Sequence, residues 1–180
     1  MTKKSKSATI EITHSLLVNA ARDWLRSTQR CRVVAIELDA LLDEIPDAIG
    51  WSSNARSILV ECKISRADFR ADQKKTSRQL IGGMGLEKYY MTPKGMINPS
   101  ELPEGWGLVE YSPSGHSRGY FIKMVQKPPR QKNTSPLEDE WQAIARMQNE
   151  MKMLISITAR SLNALSQVNK LSVAPDESEE

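Results

Sequence analysis

The stretch Ser-Ile-Leu-Val-Glu-Cys-Lys-Ile at residues 57–64 decides the fold, because it is apolar until two charged residues interrupt it near its end. A short run of branched apolar residues is typical of a buried β-strand. Side chains alternate between the two faces of a strand, so Glu61 and Lys63 share one face while Cys62 points to the other. An acid and a base placed together at the end of an apolar strand indicate a functional site.

Hydrophobic periodicity and turn residues on either side of this strand predict the remaining elements. They are an amphipathic helix over Thr9 to Ser27, strands over Arg32 to Leu42, Asp47 to Trp51 and Ser57 to Ile64, a polar helix over Ser65 to Leu80, and strands over Lys88 to Thr92, Gly107 to Tyr111 and Gly119 to Val125. The order helix, three strands, helix and further strands predicts an α/β fold with a mixed central sheet flanked by helices.

The strand that holds Asp47 supplies a second acid to the predicted site. The polar turn Ser52-Ser53-Asn54 allows this strand to pair antiparallel with residues 57–64, which places Asp47 beside Glu61. Two converging carboxylates repel each other and need a cation. Oxygen ligands without histidine or thiolate favour a hard ion, so we expect Mg²⁺ or Mn²⁺, with the backbone carbonyl of Cys62 as a further ligand. Such an ion beside a lysine suits phosphodiester hydrolysis.

The helix after the strand predicts contact with nucleic acid. The basic residues recur on one side of it, at Arg66, Arg70, Lys74 and Arg78, with Lys75 alongside. The alternative is a solvated helix in which Asp68 and Asp72 pair with these cations. The position of the helix directly after the candidate metal strand favours the phosphate-binding interpretation.

The C-terminal third has a different organisation. Residues 127–136 have the composition of a linker, and the acidic residues 173–180 are typical of a disordered tail. Between them, residues 137–172 predict one long amphipathic helix with apolar residues at alternating steps of three and four. The seam of this helix runs through Trp141, Ile144, Gln148, Met151, Ile155, Thr158, Leu162 and Leu165. Two hypotheses fit the pattern equally: the helix packs back onto the sheet, or it forms a homomeric coiled coil.

Composition excludes several classes of protein. With 180 residues, 39% of them apolar and 26% charged, the chain has the profile of an ordinary globular domain with an appendage. Two cysteines make no disulfide framework, and two histidines make a zinc site implausible. We expect no signal peptide and no membrane span, and a cytoplasmic location. The net charge of +3 is unevenly distributed, with +5 on the first 127 residues and −2 on the remainder, so a polyanionic partner is expected for the first part.

Pro46-Asp47 followed by Glu61-Cys62-Lys63 resembles the signature of the PD-(D/E)XK nuclease superfamily, and residues 61–74 more narrowly resemble the MmcB-type DNA-repair proteins. The resemblance covers about residues 9–125 and is specific only within residues 61–74. It implies a restriction-endonuclease-like core in a domain of residues 1–126. Asp47 and Glu61 are then metal ligands and Lys63 the catalytic lysine.

Members of the superfamily often carry an earlier acidic residue, for which Glu37 is the candidate here and Glu11 the second choice. The sequence departs from the pattern in one place, because Asp47 lies 14 residues before Glu61 with a polar turn between them. The leading hypothesis is a Mg²⁺-dependent DNA endonuclease of the kind used in DNA repair or phage DNA processing. The alternative is a catalytically inactive DNA-binding or assembly factor of the same fold that oligomerises through its C-terminal helix.

Overall fold

A computed structural model of the chain describes residues 11–38, 45–74, 83–115, 119–129 and 136–172. The elements are α1 (His14–Ser27), β1 (Val33–Ile36), β2 (Ala48–Trp51), β3 (Ser57–Cys62), α2 (Arg66–Gln73), β4 (Glu87–Pro93), β5 (Trp106–Pro113), β6 (Tyr120–Gln126) and α3 (Pro136–Ser172). A single 3₁₀ turn, Pro99–Glu101, lies between β4 and β5. The predicted order of helices and strands is confirmed, including the long C-terminal helix.

The six strands form one mixed sheet in sequence order. β1, β2 and β3 are antiparallel neighbours, β3, β4 and β5 run parallel, and β6 returns antiparallel to β5. The antiparallel pairing of β2 with β3 that the turn at residues 52–54 predicts is therefore confirmed. Its register sets Ala48 opposite Val60, so continuing it by one residue brings Asp47 to the level of Glu61.

Helices cover both faces of the sheet. β3 is buried along its whole length because its side chains alternate between two apolar clusters. One cluster joins Val60 and Cys62 to the buried side of α1. The other joins Leu59 to Phe69 of α2 and Met153 of α3. The mixed sheet flanked by helices that the sequence predicts is thus the observed architecture.

Two elements, α1 and β1, are shorter than predicted for a clear local reason. α1 begins at His14 because the side chain of Thr13 accepts the amide of Leu16 and caps the helix. β1 stops at Ile36 because Glu37 has a φ of 44°, a left-handed conformation that does not continue a strand. α2 ends at residue 73, and the later part of the predicted helix, residues 75–80, lies outside the described residues.

The middle of α3 is attached to the sheet. The carboxylate of Glu150 accepts hydrogen bonds from Trp51 Nε1 at 3.0 Å, Ser57 Oγ at 2.8 Å and the amide of Gly85 at 3.0 Å. Met153 is fully buried beside this contact. The hypothesis that the helix packs back onto the sheet is confirmed for this segment. None of the helices in the described ranges is long and apolar enough to cross a membrane.

The predicted linker and tail lie mostly beyond what the structure describes. Residues 130–135 and 173–180 are outside the described ranges, so both predictions stay predictions.

Candidate functional site

The ammonium of Lys63 is the centre of the site. Lys63 follows β3 directly and is 5% exposed, and Glu61 on the same face is 2% exposed. Lys63 Nζ donates to Glu61 Oε2 over 3.1 Å. Cys62, between them, points into the opposite apolar cluster with its thiol fully buried. The alternation predicted from the sequence is confirmed.

Asp47 enters the site from the start of β2. Its Oδ2 atom accepts the backbone amide of Cys62 at 2.7 Å and lies 3.9 Å from Lys63 Nζ. The hairpin register makes this contact possible, because it brings the residue before β2 to the end of β3. The structure therefore brings Asp47, Glu61 and Lys63 together from two neighbouring strands.

Asp72 is a member of the site that the sequence analysis missed. Its Oδ1 atom lies 3.3 Å from Lys63 Nζ, and its Oδ2 atom accepts the hydroxyl of Tyr90 at 2.8 Å. The signal was its spacing: Asp72 comes three residues after the buried Phe69, so it shares the inward side of α2. Asp72 is 1% exposed, so its carboxylate faces the sheet and not the solvated side of α2.

His14 and Glu37 lie on the open side of Asp47. His14 Nε2 is 3.4 Å from Asp47 Oδ1 and 3.5 Å from Glu37 Oε1. The side chains of His14 and Glu37 are 38% and 55% exposed, whereas that of Asp47 is 18% exposed. The structure thus brings Glu37, the candidate early acid, close to Asp47 through His14. Glu11 precedes α1 instead of lying on it, because the helix begins at His14.

The electrostatics of the site keep Lys63 charged. Burial lowers the pKa of Lys63, but the attraction of the carboxylates of Glu61, Asp72 and Asp47 outweighs it and raises the pKa above its ordinary value. Burial also raises the pKa of the Cys62 thiol well above its ordinary value, and the nearby carboxylates add to the effect. At neutral pH the lysine is therefore a cation and the cysteine an unreactive thiol.

The site offers carboxylate oxygens as metal ligands, but they do not form a complete coordination shell. Within the part of the chain that the structure describes, no group of three or more His, Cys, Asp or Glu side chains is arranged to hold a metal ion. Asp47 and Glu61 do both lie within 3.9 Å of one cation, the ammonium of Lys63. Mg²⁺ usually takes one or two protein carboxylates and keeps several waters, so two converging carboxylates fit it by donor type.

The cations predicted to bind nucleic acid have different environments in the structure. Arg66 forms a salt bridge with Glu101 and donates to the carbonyl of Met96 at 2.8 Å, so it ties α2 to the loop after β4. Arg70 and Lys74 are exposed to solvent. Lys75 and Arg78, which the sequence assigns to the same surface, lie outside the described residues.

Comparison with known proteins identifies a shared fold. No family model matches the sequence, and no curated protein matches it. A solved structure that is similar to this chain is the SPO1766 protein of unknown function from Silicibacter pomeroyi. The two have a TM-score of 0.54 and 20% sequence identity, and the match covers 94% of this chain and 100% of that chain. This likeness extends to the fold alone.

Proposed function

We propose that this chain is a metal-dependent nuclease that hydrolyses DNA phosphodiester bonds, built on a PD-(D/E)XK-type core. The observation that supports the proposal most is the convergence of Asp47, Glu61 and Lys63. Both carboxylates lie within 3.9 Å of the same ammonium, although they come from different strands. The mixed sheet with helices on both faces agrees with a restriction-endonuclease-like core.

The convergence of carboxylates suits the site to a divalent cation. Asp47, Glu61 and Asp72 each place a carboxylate oxygen within 3.9 Å of the ammonium of Lys63, in a mostly buried place. Asp47 and Glu61, with the carbonyl of Cys62, would hold Mg²⁺ or Mn²⁺. When bound, the ion would supply Lewis-acid polarisation of a phosphoryl oxygen and acidify a water molecule.

Lys63 acts in this proposal as a fixed positive charge and not as a base. Its raised pKa keeps it protonated, so it has no lone pair to accept a proton. Glu61 and Asp72 fix its position, and Tyr90 in turn donates to Asp72. A preorganised cation of this kind stabilises negative charge that develops on phosphoryl oxygens.

The exposed part of α2 is the proposed contact with the DNA backbone. Arg70 and Lys74 are solvent-exposed on the helix that follows Lys63 directly, and Lys75 and Arg78 continue the basic pattern in the sequence. Phosphate contacts of this kind position a protein on nucleic acid without reading its sequence. They also make binding weaken as the salt concentration rises.

A plasmid-nicking assay tests the proposal. The wild-type chain is expected to relax supercoiled plasmid in Mg²⁺ or Mn²⁺ and to be inactive in EDTA. Glu61→Gln, which keeps the size of the side chain, is expected to lose at least about 100-fold in rate, a loss typical for one catalytic electrostatic group. Glu104→Gln makes the same change at an exposed position and is expected to keep wild-type activity. Cleavage by Glu61→Gln at the wild-type rate contradicts the proposal.

A second candidate function keeps the fold and omits the chemistry. In this version the chain is a DNA-binding or assembly factor, and the carboxylates of the site serve only to neutralise Lys63. Two observations favour it: Lys63 already has three carboxylates within 3.9 Å, and α3 carries a row of exposed apolar side chains. Binding to DNA that persists in EDTA, with no cleavage in any metal, selects this candidate.

A further inference from the structure

The outward side of α3 carries a seam of mostly apolar residues. The seam is the set of residues at alternating steps of three and four, namely Trp141, Ile144, Gln148, Met151, Ile155, Thr158, Leu162 and Leu165. Its apolar members are exposed, from 39% for Ile144 to 74% for Trp141. Met147 and Val168, which flank the seam, are 65% and 61% exposed. Side chains of these types are normally buried, so this surface has the composition of an interface.

The seam is not needed for attaching α3 to the sheet. That attachment uses Glu150 and Met153, with Leu154 and Ile157 packed against the same apolar cluster. These residues lie on a different side of the helix from the seam, because they fall between its positions in the heptad. α3 is therefore fixed to the sheet by one side and presents the other to solvent from Trp141 to Val168.

The size of the seam matches a stable interface. Large apolar side chains at these exposures present a surface on the order of 800 Å² per copy, which is about what each partner contributes to a standard stable complex. The largest apolar patch of a typical monomer is smaller, at about 300–600 Å². A seven-residue repeat extending over about four heptads fits a second helix of similar length.

The seam is complementary to itself. When two copies align in parallel, Gln148 and Thr158 each face their own counterpart; when they align antiparallel end to end, Gln148 faces Thr158. Both two-fold arrangements therefore set polar residues opposite polar ones and apolar residues opposite apolar ones. Among the flanking positions between Trp141 and Leu165, Lys152 alone is charged, so that segment has no charge pattern that specifies a different partner helix.

We infer that the α3 seam binds the same seam of a second copy of this chain, which makes the protein a coiled-coil homodimer. The inference does not rest on the proposed nuclease function, because none of the seam residues belongs to the site around Lys63. It follows that Glu61→Gln remains a dimer, whatever it does to DNA cleavage.

Light scattering of the full chain after size exclusion tests the inference. The wild type is expected at twice the chain mass of 20.3 kDa at micromolar concentration. Leu162→Glu is expected at the mass of one chain, with a dissociation constant raised at least about 100-fold, because each dimer would bury two unpaired charges. Asn163→Glu adds the same charge one residue away, off the seam, and is expected to stay dimeric.

Two results overturn the inference. One is a wild-type chain that is monomeric throughout the micromolar range, which assigns the seam to a different protein or to no partner. The other is a Leu162→Glu chain that is as dimeric as the wild type. Leu165→Glu serves as a second seam variant, and circular dichroism establishes that each variant keeps its helical content, since both positions lie beyond the segment of α3 that contacts the sheet.

Discussion

Replacing Asp72 with asparagine tests how the ammonium of Lys63 is held in place. The change keeps the shape of the side chain and removes its charge. Asp72 is 1% exposed, 3.3 Å from Lys63 Nζ, and accepts the hydroxyl of Tyr90 at 2.8 Å. These two contacts are therefore shielded from water, and a charge-assisted interaction is strongest in such a buried place.

The size of the effect follows from these contacts. Removing one partner of a buried ion pair typically costs about 3–5 kcal/mol. The carboxylates of Glu61 and Asp47 remain beside Lys63, and an amide oxygen still accepts a hydrogen bond from Tyr90. We therefore expect Asp72→Asn to lower the free energy of unfolding by about 2–3 kcal/mol, within the range for a hydrogen bond to a charged group. In a chain of this length that corresponds to a melting temperature lower by about 5–10 °C.

Urea denaturation at pH 7 measures this change, and Asp68→Asn is its matched control. Asp68 lies in the first turn of the same helix and is exposed, so its loss is expected to cost no more than about 0.5–1 kcal/mol. Equal stability of the two variants would refute the reasoning, because Asp72 would then contribute no more than a surface carboxylate.

Three further predictions concern the site and its supports. The loss of stability caused by Asp72→Asn is expected to be constant from pH 7 to about pH 10 and to shrink above it. The raised pKa of Lys63 stabilises the fold fully below the unfolded pKa, and this effect is lost as the pH rises through the folded pKa. Urea denaturation across this range measures the loss, and an unchanged loss at pH 11 would contradict Lys63 as the partner of Asp72. Gly107→Ala is expected to lower the free energy of unfolding by about 1–3 kcal/mol, because the added methyl group would lie 2.6 Å from a tyrosine ring carbon and 2.7 Å from a backbone oxygen. Gly115→Ala places its methyl group in open space and is expected to be neutral. Thermal denaturation compares the two variants. Glu150→Gln weakens three hydrogen bonds, so it is expected to lower the free energy of unfolding by about 1.5–3 kcal/mol and to raise the rate of amide hydrogen exchange in the middle of α3. An unchanged exchange rate would contradict the role of Glu150 in attaching α3 to the sheet.

The part of the site that lies on β3 and on its hairpin neighbour could be predicted from the sequence. The alternation of Glu61 and Lys63 follows from the two-residue period of a strand, and the position of Asp47 follows from one tight turn. The N-terminal cap of α2 at Ser65 could be predicted for the same reason, because the cap is a contact between residues three positions apart.

Contacts between distant segments could not be predicted in the same way. Asp72 meets Tyr90 only because α2 packs over β4, and His14 meets Asp47 only because α1 crosses the end of β2. In the sequence, Asp72 and His14 are ordinary polar side chains of predicted helices. Glu150 is a similar case, since its role depends on which side of α3 faces the sheet.

Two different sides of α3 have different roles. The seam predicted from the heptad spacing exists, but it faces solvent, while a separate and much shorter set of residues around Met153 attaches the helix to the sheet. Hydrophobic periodicity gives the spacing of apolar positions and not the identity of the surface that covers them. The two hypotheses for this helix are therefore compatible with each other.

The most direct test of the metal proposal is a calorimetric titration of the full chain with MnCl₂, without DNA. The wild type is expected to bind Mn²⁺ in a saturable manner, Glu104→Gln to bind it equally, and Glu61→Gln to lose most of that affinity. No uptake by the wild type, or equal uptake by Glu61→Gln, would contradict the claim that Asp47 and Glu61 hold a divalent cation beside Lys63.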